Sequence, residues 1–80
     1  MHTYYYAVTN ESKKEIIGMY SSEAQSVEDF ENEYNTVHRR TLREGDAIKQ
    51  CYNLTECVDF CDKVAGVQTR KDAWDWRASK

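Results

Sequence analysis

The sequence predicts a small α+β domain in which a four-stranded antiparallel sheet carries two helices on one face. Three observations lead to this prediction. Short segments rich in aromatic and β-branched residues alternate with polar turns, as strands do. Two other segments repeat apolar residues at three- and four-residue steps, as amphipathic helices do. At 80 residues, the chain has room for a single domain with one modest core.

The first two predicted strands form a hairpin. They cover residues 3–9 and 15–21, and a polar turn over residues 10–14 joins them. Side chains alternate between the two faces of a strand, so every second residue of the first strand shares one face. The set expected to face the core is Tyr4, Tyr6 and Val8, with Tyr5 on the opposite face.

The second strand has two possible inward faces. One face would bury Ile17 and Met19, and the other would bury Ile16 and Tyr20. The strand itself does not decide between them. Gly18 within it indicates a β-bulge or a close approach of the backbone.

The central element of the prediction is an acidic amphipathic helix over residues 22–35. Ser22 and Ser26 are both candidate N-caps, because each has a suitable side chain three residues later. Its apolar stripe consists of Ala24, Val27, Phe30 and Tyr34. Its acidic side chains are expected to face solvent, and they are Glu23, Glu28, Asp29, Glu31 and Glu33.

The end of this helix has two interpretations. A helix that runs to Leu42 would let Val37 and Thr41 extend the apolar stripe, and it would favour a ferredoxin-like split βαβ order. We favour an end near Asn35, because the β-branched residues that follow alternate as they do in a strand over residues 36–42.

The second half of the chain repeats the pattern of strand, turn, strand and helix. A turn at residues 43–46, in which Gly45 can take a positive φ, leads into a strand over residues 47–53. A second helix is predicted over residues 56–65, with Thr55 as its N-cap.

Gly66 is expected to end the second helix as a left-handed C′ residue. The remaining residues, 67–80, show no clear period and are expected to form a less ordered tail of the single domain. Trp74 and Trp76 lie in this tail. Two tryptophans there either fold back onto the core or anchor a partner as interface hot spots.

Charge is distributed unevenly along the chain. The net charge of −3 argues against general nucleic-acid binding, which depends on Lys and Arg contacts to phosphates. Residues 22–35 carry five acids and no base, whereas His38, Arg39, Arg40 and Arg43 follow directly. These four basic residues are candidate phosphate contacts, but on a strand Arg39 would point away from His38 and Arg40.

Three cysteines cannot all pair in a monomer, and the N-terminus has no signal-peptide character. With no stretch of membrane-spanning length, the chain is expected to be cytoplasmic with reduced thiols. Cys57 and Cys61 share a helix face, so zinc is conceivable if Cys51 or His38 completes a site. We favour three buried core residues, and we expect no metal and no cofactor.

The functional prediction starts from ten aromatic residues, more than one small core readily hides. In overall character, being short, acidic, aromatic-rich, proline-free and without a catalytic motif, the chain resembles small phage-encoded inhibitors of bacterial defence, the anti-CRISPR class among them. That resemblance implies a non-enzymatic, stoichiometric binder that blocks a host nucleoprotein complex such as a CRISPR–Cas effector. The expected contact residues are Glu23, Glu28, Asp29, Glu31, Glu33, Tyr5, Trp74 and Trp76.

An alternative function is a small domain that binds single-stranded nucleic acid. It would use Arg39, Arg40 and Arg43 on phosphates and exposed tyrosines as stacking platforms for bases.

Overall fold

A computed structural model describes residues 2–66 of the chain. Its strands are β1 (Tyr4–Asn10), β2 (Glu15–Ser22) and β3 (Asp46–Cys51), and its helices are α1 (Val27–Thr36) and α2 (Leu54–Val64). The strands form one antiparallel sheet in the order β2-β1-β3, and a short 3-10 turn over Glu11–Lys13 joins the first two. The predicted α+β class is confirmed.

The central strand β1 is covered on both faces, and this decides the architecture. Tyr6, Ala7 and Val8 are consecutive and all are fully buried. Tyr6 and Val8 pack in one core cluster with Phe30 of α1, whereas Ala7 packs in a second cluster with Cys57 of α2. The two helices therefore lie on opposite faces of the sheet. The prediction that both lie on one face is wrong.

A β-bulge in β2 sets the register of the hairpin. Val8 pairs with Gly18, but the next residue of β1, Thr9, pairs with Ile16. Ile17 is therefore the extra residue of β2, and no residue of β1 pairs with it. An extra residue shifts all later side chains of a strand to the other face.

The bulge divides the isoleucines of β2 between the two cores. Ile16 joins Met19 in the cluster under α2, and Ile17 joins Tyr20 in the cluster under α1. Neither predicted inward pair is formed, because each face of the sheet buries one residue from each of the two predicted pairs. A side chain at Gly18 would force Tyr20 to shift, since a Cβ there would come within 2.9 Å of the Tyr20 ring and hydroxyl.

Helix α1 begins at the second of the two predicted caps. The Ser26 Oγ accepts a hydrogen bond from the Asp29 backbone N–H at 3.1 Å. Ser22 instead ends β2, and its hydroxyl donates to a Glu33 carboxylate oxygen at 2.8 Å. This side-chain bond holds α1 against the adjacent edge strand.

The predicted strand over residues 36–42 is not formed, and three strands are present within residues 2–66. Thr36 is the last residue of α1, and an irregular segment follows that we call the 37–45 loop. Its course is set where the helix ends: Arg39 adopts a left-handed φ of +55°, and the Arg40 N–H donates to the Tyr34 carbonyl at 3.0 Å. These bonds satisfy the end of the helix in place of a strand ladder.

Helix α2 begins two residues earlier than predicted. Asn53, not Thr55, is the N-cap, and its Oδ1 accepts from the Glu56 backbone N–H at 2.8 Å. The Glu56 carboxylate in turn accepts from the Tyr52 N–H at 2.6 Å. Gly66 follows the helix with a φ of +73°, as predicted for its C′ position.

Replacing the Asn53 cap with alanine should destabilise the fold by about 1 kcal/mol, because the Glu56 N–H loses its partner. For a domain of this size, the melting temperature should fall by roughly 4–8 °C. The matched control is Thr55→Ala, since Thr55 is exposed within the first turn and should change stability little. Equal losses in the two variants, measured by thermal circular dichroism, would contradict this assignment of the cap.

Candidate functional site

The 37–45 loop forms one wall of an open cleft of about 910 Å³ at one end of the sheet. The opposite wall comes from the end of β1, the 3-10 turn and the start of β2. We call this the basic cleft, after the basic side chains that line it: Lys13, His38, Arg39, Arg40 and Arg43.

Hydrogen bonds to Asp46 hold the loop in place. One of its carboxylate oxygens accepts from Asn10 Nδ2 at 3.1 Å, and the other accepts from the Arg43 backbone N–H at 3.0 Å. Between Arg43 and Asp46, Gly45 turns the chain with a φ of +87°. The carboxylate of Asp46 therefore positions the loop that carries the arginines.

All four predicted basic residues line this single cleft. The expectation that Arg39 would point away from His38 and Arg40 is wrong, because it assumed the alternation of a strand. The loop follows no such alternation, and the left-handed conformation of Arg39 turns the chain there. Their binding role stays a prediction.

Tyr34 lies at the base of the basic cleft and was expected only as a core residue. It is 2 % exposed and lines the cleft. Within residues 2–66, no hydrogen bond involves its hydroxyl. Burial raises the pKa of Tyr34, as does nearby Tyr20, while Arg40 lowers it. Tyr34 was missed as a site residue because it lies on the apolar stripe of α1, and Lys13 because it is distant in sequence from the arginines.

The acidic residues of α1 and of the segment before it occupy a second, separate surface. Three exposed acids of α1 and one from the preceding segment define the acidic face: Glu28, Asp29 and Glu31 with Glu23. Glu33 is half-buried and bonded to Ser22, so it contributes more to packing than to this face. The face exists because α1 turns Phe30 and Tyr34 to the sheet and leaves its remaining arc to solvent.

The predicted exposure of Tyr5 is not observed. Tyr5 is half-buried and packs against the cluster under α2, because that helix covers the face on which Tyr5 lies. Among the described residues, the most exposed tyrosine is Tyr52, at 60 %. Its ring stacks on the His2 ring with 4.0 Å between centroids. Trp74 and Trp76 lie outside the described residues.

The three cysteines form a buried cluster between the sheet and α2. Cys51, Cys57 and Cys61 are fully buried thiols that pack in one core cluster, and the Cys51 Sγ donates to the Lys49 carbonyl at 3.9 Å. Burial raises the pKa of Cys51 to about 12, and the neighbouring Cys61 thiol together with burial raises that of Cys57 further. Both thiols are thus protonated at neutral pH. No metal-holding group of three His, Cys, Asp or Glu side chains occurs among residues 2–66.

Comparisons with known proteins give no assignment: no protein-family model, curated protein or solved structure shows significant similarity to this chain. Within the described part of the chain, no helix has both the length and the apolar character needed to cross a membrane.

Proposed function

We propose that this chain is a non-enzymatic protein-interaction module that binds and inhibits a nucleoprotein complex. The observation that carries the proposal is the acidic face, in which three of the four exposed carboxylates are held by a helix fixed to the core through Phe30 and Tyr34. Neighbouring side chains on a helix surface lie about 5–6 Å apart, so this face is dense in negative charge. Channels that bind nucleic acid are lined with Lys and Arg, and they attract such a face.

The proposed partner is a host nucleoprotein complex such as a CRISPR–Cas effector, and the proposed location is therefore the cytoplasm. The resemblance in overall character to small phage-encoded inhibitors of bacterial defence supports this choice of partner. Inhibition would be stoichiometric, since the carboxylates would occupy sites that otherwise hold phosphates. Electrostatic complementarity of this kind mainly increases the association rate and the specificity.

Reversing two charges of the acidic face should weaken inhibition. The variant Glu28→Lys/Glu31→Lys places two cations where the partner's basic groups would lie, so we expect a loss of at least about tenfold in affinity. The assay measures target-DNA binding by purified CRISPR–Cas effectors as the protein is titrated in.

The matched control for this variant is Glu11→Lys/Asp59→Lys, which makes the same change in net charge at exposed positions away from the acidic face. Its inhibition should match that of the parent protein. The proposal is refuted if both double variants lose inhibition equally, or if the acidic-face variant inhibits every effector that the parent inhibits with unchanged potency.

A second candidate function is binding of single-stranded nucleic acid, and the convergence of Arg39, Arg40 and Arg43 on one cleft favours it. The position of Tyr52 weighs against it. Asp46 at the start of β3 lines the cleft, whereas Tyr52 follows the end of that six-residue strand, about 20 Å away. The exposed ring and the arginines therefore do not form one continuous binding groove.

A further inference from the structure

We infer that the basic cleft binds a compact phosphate-bearing ligand of nucleotide size, with Arg40, Arg43 and the Tyr34 hydroxyl as hydrogen-bond donors. This site is separate from the acidic face and does not depend on the proposed inhibition. A volume of about 910 Å³ lies within the range of small-molecule sites, which is roughly 300–1,000 Å³.

The first support is the charge of the cleft. Its cations outnumber its acids, although the chain as a whole is acidic. One of the acids, Asp46, already accepts two hydrogen bonds that hold the loop, so it belongs to the scaffold. Arg39, Arg40 and Arg43 are all exposed on the loop, which leaves their guanidinium groups available to an anion. Guanidinium groups bind phosphate through paired N–H donors.

The second support is the Tyr34 hydroxyl. No hydrogen bond within residues 2–66 involves this hydroxyl, yet no fully buried side-chain oxygen in that range lacks a partner, so the Tyr34 hydroxyl reaches solvent although the residue as a whole is only 2 % exposed. Arg40 is held near Tyr34, since its backbone N–H donates to the Tyr34 carbonyl at 3.0 Å, and Arg43 lines the same cleft. A phosphate oxygen at this point would accept from the hydroxyl while its other oxygens meet the arginines.

Two features limit the ligand to a compact molecule. Glu15 and Glu44 are exposed in the lining and would repel the continuous phosphates of a long strand. The aromatic side chains at the cleft are also already engaged: Tyr34 is buried, and the His38 ring contacts Tyr20 at 4.4 Å between centroids. Neither offers a free face on which successive bases could stack.

The test is calorimetric titration of the full chain at low salt with tripolyphosphate, ATP and a labelled hexathymidylate, with sulfate as a reference anion. We expect saturable binding of tripolyphosphate and ATP with a Kd of about 1 mM or tighter, and weaker binding of sulfate and the oligonucleotide. Arg40→Gln/Arg43→Gln should weaken binding by about tenfold or more. Tyr34→Phe should also weaken it about tenfold, because it removes only the hydroxyl.

The control variant is Lys49→Gln/Lys63→Gln, which removes two exposed cations outside the cleft and should leave affinity within about twofold. Glu28→Lys/Glu31→Lys should also retain phosphate binding, which separates this site from the acidic face. Circular dichroism confirms that each variant is folded. The inference is overturned if neither tripolyphosphate nor ATP binds saturably, or if the control variant loses as much affinity as Arg40→Gln/Arg43→Gln. It is also overturned if Tyr34→Phe leaves the affinity unchanged, or if the oligonucleotide binds more tightly than ATP.

Discussion

Replacing Phe30 with alanine should destabilise the fold by about 3–5 kcal/mol. Phe30 is fully buried between α1 and the sheet, and its ring stacks on Tyr6 at 4.3 Å between centroids with the planes only 3° apart. Alanine would leave a cavity there and would also remove the stacking contact. Since the stability of a whole domain is roughly 5–15 kcal/mol, this one change should remove a large share of it.

The measurement is urea unfolding followed by circular dichroism. The matched control is Val27→Ala in the same helix, because Val27 is 37 % exposed and leaves little cavity. We expect the control to lose about 1 kcal/mol or less. Similar midpoints for the two variants would show that Phe30 is not the centre of the α1 core.

Raising the pH should destabilise the protein strongly between about pH 9 and pH 12. The pKa of Cys51 is raised from 9.0 to about 12 by burial, and that of Cys57 is raised as well. Below pH 9, both thiols are protonated in the folded and the unfolded chain, so stability does not depend on them. Above pH 9, the unfolded chain loses the protons while the folded chain keeps them, so unfolding becomes more favourable.

Each such thiol lowers stability by at most about 1.4 kcal/mol per pH unit across this range. The raised pKa values of Tyr6 and Tyr34, caused mainly by burial, act in the same direction at higher pH. The measurement compares urea midpoints of the parent and Cys51→Ala from pH 7 to pH 10.5. The variant should show the shallower decline, and parallel declines would exclude a contribution from Cys51.

Local sequence signals placed most of the elements of the fold. The hairpin strands, the Ser26 cap, and the turns at Gly45 and Gly66 follow from interactions within a few residues. The bulge near Gly18 was also expected, although its effect on the two isoleucines was not. Caps and turns depend on backbone geometry that neighbouring residues determine, which is why the sequence was informative about them.

The error at residues 36–42 shows where local signals fail. Val37 and Thr41 are β-branched and alternate as in a strand, but a strand also needs a neighbour for its hydrogen bonds. This segment pairs with neither outer strand of the sheet, because the hydrogen bonds at the end of α1 and the left-handed turn at Arg39 direct the chain elsewhere. The hydrogen bonds at the end of α1, and not strand propensity, therefore determine the conformation of residues 37–42.

The candidate site was identified only in part from the sequence. His38, Arg39, Arg40 and Arg43 were recognised as a basic group, because four such residues within six positions stand out in an acidic chain. Their shared cleft could not be foreseen, since it depends on bonds from Asn10 to Asp46 across the sheet. The hydroxyl of Tyr34 was missed because its ring lies on the apolar stripe of α1.

The sequence by itself determined the α+β class, the acidic helix and the segregation of charge along the chain. These properties reside in composition and periodicity, which need no knowledge of distant contacts. Only the tertiary structure decided that the helices cover opposite faces, that Tyr5 is half-buried, and that one loop gathers the basic side chains into a cleft. Each of these depends on contacts between residues far apart in the chain, and such contacts leave no local pattern.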